Sequence, residues 1–108
     1  IFNMAWIYLL LAGVCEIGWP IGLKMANGKH PILWTIFAII AMAISGYMLY
    51  QAQKTIPMGT AYAIWTGIGA VGAFTVGILF FKDSASLFRF LSVFFIVIGI
   101  VGLKLSAH

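Results

Sequence analysis

The segment MAWIYLLLAGVCEIGWPIGL, residues 4–23, decides the class of this protein. It runs for 20 residues with one charged side chain, Glu16. A helix needs about 20 predominantly apolar residues to cross a bilayer. Three more runs of this kind follow. Residues 31–53 and 55–81 carry no charge, and residues 87–103 carry only Arg89, in their first turn. Arg89 can snorkel to the interface on its aliphatic stem. Each span must satisfy its own backbone hydrogen bonds in lipid, so helices are required.

Composition agrees. Of 108 residues, 64% are hydrophobic and 7% charged, against about 25% charged in a soluble domain. Eight charged side chains could not cover the surface of a soluble protein this size. The length predicts a single domain, residues 4–108. Ile1-Phe2-Asn3 read as an appended remnant ahead of a natural start at Met4. Net charge is +4, but the six cations stand singly at the ends of apolar runs. That is the placement of interfacial anchors and argues against nucleic acid as a partner. Cys15 is the sole cysteine, so no intrachain disulfide is possible; it reads as a small packing residue.

Short connections separate the runs: KMANGKH, then KTIP, then KDSAS. Asn27-Gly28 is a turn signal. Pro31 and Pro57 suit first helical turns, which need no backbone donor. Ser84 or Ser86 can cap the fourth helix. The expected fold is therefore an all-α membrane protein of four transmembrane helices, up-down-up-down. Lys24, Lys29, Lys82 and Arg89 fall on one side and Lys54 and Lys104 on the other. This is a weak positive-inside bias, compatible with insertion in both orientations. Four helices make a thin bundle, so self-association is expected. Small residues support close helix packing: Ser92 and Gly99 share a face of the fourth span, and Gly59, Ala63, Gly67 and Gly69, Ala73, Gly77 recur every four in the third.

The string GIGAVG at 67–72 matches a dinucleotide-binding pattern, but no strand precedes it and no acid follows about 20 residues on. Its meaning is mechanical. Gly67 and Gly69 weaken the third helix midway and permit a bend.

Glu16 is the chemical centre. It lies about 18 Å along the helix from Met4, near the middle of a core about 30 Å thick. A charge there costs about 2.5–3.5 kcal/mol or more. Desolvation favours the protonated carboxyl, whereas a bound cation favours the carboxylate. A proton and a cation thus compete for one group, which is the chemistry a proton/cation antiporter requires. Helical neighbours of Glu16 are Ala12, Gly13, Trp19 and Pro20. Trp19 can offer an indole N–H or a ring face. Tyr62 and Trp65, three apart in the third span, want polar partners at that depth, and Ser45 offers a hydroxyl in the second. Trp6 and Trp34 sit near span ends, as in an interfacial belt. Met42, Met48 and Met58 read as packing, and nothing links His30 or His108 to metal or catalysis. Neither a nucleophile–base pair nor a second acid in a span supports an enzyme.

Taken together, MAWIYLLLAG at 4–13, EIGW and GLK within 16–24, PMGTAYAIWTGIGAVGA at 57–73 and IGIVGLKLS at 98–106 resemble the small multidrug resistance family, over essentially residues 4–106. The match is nearest its guanidinium-exporting subtype, because Trp19 is usually missing from the subtype that carries polyaromatic cations. The resemblance implies an antiparallel, dual-topology homodimer in the bacterial inner membrane that exchanges protons for a cationic substrate by alternating access. It implies no cofactor beyond the coupling protons. Glu16 would be the shared proton and substrate ligand, with Trp19, Ser45, Tyr62 and Trp65 lining it. The Gly67–Gly69 block would be the bend of the third helix, and the fourth span, with Ser92 and Gly99, the dimer seam. Export of quaternary ammonium or aromatic cations, a heterodimeric subunit and a passive cation pore remain alternatives. Pro20 departs from the family pattern, which usually has a non-proline residue there. Proline has no N–H and clashes with the carbonyl four residues back, which belongs to Glu16. Pro20 is therefore expected to bend the first helix, free that oxygen and modulate the site.

Overall fold

The computed structural model describes residues 4–106, and in it four helices follow one another: α1 (Met4–Met25), α2 (Pro31–Ala52), α3 (Met58–Phe80) and α4 (Leu87–Ser106). All four are long and apolar enough to cross a membrane, and the described residues contain no strand. The reading of residues 1–3 as a remnant, and His108, fall outside the described residues.

The helix ends follow the local chemistry. α1 continues past Lys24 into its last turn, where a cation suits the partial negative charge of a helix C-terminus. The Asn27-Gly28 turn forms, with Asn27 N–H donating to the Lys24 carbonyl at 3.3 Å and Gly28 N–H to that of Met25 at 3.1 Å. The left-handed residue of this connection is His30 (φ 59°), and no described glycine has positive φ. Pro31 opens α2 as expected, but Pro57 is the N-cap of α3, just outside its first turn. Ser86 Oγ accepts the Arg89 N–H at 3.3 Å and caps α4.

α1 packs against both α2 and α3, and α4 packs on α3. Paired contacts fix the relative directions. Along α1 and α2, Ala12 meets Ser45 and Gly22 meets Ala38, so the two run antiparallel. α1 and α3 run parallel, Gly13 facing Ile68 and Ile17 facing Gly72. α3 and α4 are antiparallel, Gly67 facing Ile100 and Phe74 stacking edge-on with Phe90 at 5.8 Å. The main apolar core is small: Ala5, Trp6, Leu9, Ala52, Ile56, Ala61 and Ile64. α4 has no buried residue, and most large apolar side chains of the chain are exposed. In water that would be untenable, whereas lipid is as apolar as leucine.

One sequence expectation acquires a different meaning. Trp6 is buried in the core, with Lys104 Nζ 4.4 Å from its ring centroid. It packs inside the bundle rather than in a lipid-facing belt, because the last turn of α4 closes over the first turn of α1. α3 stays one α-helix across Gly67 and Gly69, so GIGAVG lies wholly within a helix.

Leu9 is fully buried, whereas Leu105 is 81% exposed. Leu9→Ala leaves a cavity and should lower stability by about 2–5 kcal/mol, while Leu105→Ala should leave it nearly unchanged. Denaturant titration of both variants in mild detergent measures the difference.

Candidate functional site

α1 brings Glu16 to the junction of α2 and α3, where the hydroxyl of Ser45 is the hub. Ser45 is fully buried. Its Oγ donates to the Ala12 carbonyl at 2.8 Å and accepts the Trp65 indole N–H at 2.7 Å. Glu16 Oε1 lies 3.5 Å from the same oxygen. A hydroxyl has one proton and two lone pairs, so it cannot serve both oxygen acceptors at once. At these distances the proton belongs to Ala12. Closing the gap to Glu16 by about 0.5 Å would bring the carboxyl into hydrogen-bond range.

Helix-to-helix contact makes room for this arrangement. Glu16 is partly buried, and its Cγ occupies the space where a side chain at Gly69 would start. A Cβ built on Gly69 would stand 2.5 Å from Glu16 Cγ, closer than non-bonded carbons approach. Gly67, two residues earlier, instead admits Ile100 of α4. The two glycines at the centre of α3 thus serve different neighbours, one the carboxylate and the other the fourth helix.

The remaining candidates divide. Trp65 bonds directly to Ser45 and reaches Glu16 only through that hydroxyl. The Tyr62 ring lies 5.4 Å from that of Trp65, but its hydroxyl makes no hydrogen bond within the described residues, and its side chain is exposed. Trp19, one turn beyond Glu16, is partly buried and makes no hydrogen bond to Glu16. Pro20 leaves the Glu16 carbonyl without an amide partner at the usual position, while α1 remains helical to Met25. Ser92 and Gly99 stand away from the centre on α4; nothing lies within 4 Å of where a Gly99 side chain would begin. The Ala12 carbonyl was not visible as a participant from the sequence, since every residue carries such an acceptor. The only hint was its place one turn before Glu16.

The chain matches the family model described as Small Multidrug Resistance protein over residues 4–98. The chain belongs to the small multidrug resistance family. It is 56% identical over 105 residues to the guanidinium exporter of Salmonella typhimurium strain LT2, covering 97% of this chain and all of that protein. The guanidinium exporters of Citrobacter freundii, 54% identical over the same shares, and Yersinia pseudotuberculosis, 50% identical over 96% of this chain and all of the relative, are similar to it as well. With its four apolar helices, this member of the small multidrug resistance family is a multi-pass membrane transport protein and not an enzyme.

Ser45→Ala would strand the part-buried indole N–H of Trp65, whereas the Ala12 carbonyl keeps its intrahelical amide donor. The loss should be about 1–3 kcal/mol for the unsatisfied indole, with Trp65 fluorescence shifted toward a more mobile indole. Unfolding and emission spectra of the variant in detergent check both.

Proposed function

We propose that this chain exports small cations, guanidinium or substituted guanidinium ions, in exchange for protons across the bacterial inner membrane. The observation that carries the reading is the Glu16 carboxyl at mid-helix, 3.5 Å from a buried hydroxyl already held by an indole. An intramembrane carboxyl is a transport or relay group by default. The relatives' names supply the substrate class.

The chemistry follows from Ser45. When Glu16 is protonated it is neutral, and Ser45 keeps its proton on the Ala12 carbonyl. Loss of the proton leaves a carboxylate in a poorly solvating site. Ser45 can then turn its hydroxyl to it, and a planar cation can bind it through paired N–H groups. Proton and cation neutralise the same charge and exclude each other. The Trp65 N–H fixes the Ser45 oxygen throughout, so its hydroxyl has a defined pivot. Trp19 and Tyr62 line the path of the cation with ring faces, and the Glu16 carbonyl freed by Pro20 modulates the site as a neutral acceptor.

One protomer leaves this site open. A second copy packed antiparallel along α4, with Ser92 and Gly99 at the seam, would enclose it and bring two Glu16 side chains to one centre. The weak charge bias between the two sides suits insertion in both orientations. Alternating access then needs only the two copies to exchange conformations, with the Gly67–Gly69 segment of α3 as the bend.

Glu16→Gln keeps the size of the side chain and removes its proton chemistry. Proteoliposomes of the purified wild-type chain should accumulate guanidinium against its gradient when a proton gradient is imposed, and the variant should not. Uphill guanidinium movement by Glu16→Gln would refute the proposal. A wild-type leak without proton coupling would make the protein a pore, and inactivity of the chain alone would make it a subunit.

A further inference from the structure

Both acidic residues of this chain press against glycines of one ridge on α3. Glu16 fills the space beside Gly69, and Asp83 Oδ2 fills the space beside Gly77. Those glycines are eight residues apart, about 12 Å along the helix. Asp83 is placed there by the backbone. Lys82 is left-handed (φ 59°), a conformation costing a non-glycine residue about 1–2 kcal/mol, and the Asp83 N–H then returns to the Gly77 carbonyl at 3.0 Å. Between the two acids, one turn beyond Glu16 on α1, lies a cavity of about 150 Å³ lined by Pro20, Lys24, Ala73, Gly77, Phe81 and Asp83 among others. The ring of Phe81 already faces a cation, Lys24 Nζ at 5.9 Å from its centroid.

We infer that this cavity is an outer cation subsite, where a guanidinium-class ion pauses between the membrane surface and Glu16. This deepens the proposed transport function and rests on its substrate class. The parts suit a flat cation that carries N–H donors. Phe81 offers a π-face, Asp83 a carboxylate that a planar fork can grip through two N–H groups, and a cavity of this volume accommodates a molecule of about the size of benzene. Lys24 is the resident competitor. Its ammonium, on a flexible stem, occupies the ring face when no ligand is bound and swings to water when one arrives. Exchange of one cation for another keeps the local charge nearly constant, so loading the subsite does not add a second uncompensated charge at the mouth of the groove. Pro20, whose ring lines the same cavity, stands between the outer subsite and Glu16.

Guanidinium titration of the isotope-labelled chain in lipid bicelles, followed by the amide resonances of Gly69 and Gly77, separates the two sites. In wild type both should respond saturably. In Glu16→Gln, Gly69 should fall silent while Gly77 still responds. Asp83→Asn should abolish the Gly77 response and Asp83→Glu should retain it. Lys24→Gln should lower the half-saturating concentration at Gly77 several-fold. A Gly77 amide that ignores guanidinium in wild type, or responds equally in Asp83→Asn, or a Lys24→Gln titration that coincides with wild type, overturns the subsite. Silence at Gly69 with a response at Gly77 would count against the central site instead.

Discussion

A carboxyl group halfway through an apolar helix has to be neutralised, and the rest of this molecule is arranged around how that happens. Glu16 has three sources of relief within reach: a proton, a cation, or the hydroxyl of Ser45 at 3.5 Å. The hydroxyl is the weak one. It is bound to the Ala12 carbonyl and held by the Trp65 indole, and it can turn to Glu16 only by giving up Ala12. In the proposed transport cycle the proton and the cation are then the effective partners. Their competition would follow from burial, since a group freely hydrated would tolerate its charge without either.

Helix packing follows from the same need. α1 lies close to α3 because glycines on α3 yield space to side chains of α1, Gly69 to Glu16 and Gly72 to Ile17. α2 supplies the buried hydroxyl. α4, by contrast, packs along α3, reaches α1 only where its last turn covers Trp6, and buries none of its residues. A transporter protomer with one helix left so uncovered is suited to a partner in the membrane, and that same incompleteness keeps the Glu16 region open on one side.

How much of this was legible in the sequence depended on the kind of signal. Run length and the absence of charge located all four helices, because lipid penalises every charged residue and every unpaired backbone group within a span. Glu16 stood out by the same logic, and Ser45 and Trp65 were singled out as polar groups at matching depth. Two things could not be read. The Ala12 carbonyl is a backbone acceptor, which no residue type announces, and it takes the Ser45 proton from the side chain that seemed its natural partner. Asp83 sat in a loop with no periodicity to aim it, and only the left-handed turn at Lys82 folds it onto Gly77. Trp6 looked like an interfacial residue by its position near a helix end, yet the last turn of α4 covers it. Distance along a helix gives depth in the membrane, but not which way a side chain faces.

The central claim is that proton and cation exclude one another at Glu16. Calorimetric titration of guanidinium into the purified protein, repeated at one pH in buffers of different ionisation enthalpy, counts the protons released per cation bound. The account predicts net proton release on binding at a pH where Glu16 is partly protonated, lost in Glu16→Gln, with apparent affinity falling as pH is lowered. Binding of undiminished affinity with no proton release across the acidic range would contradict it.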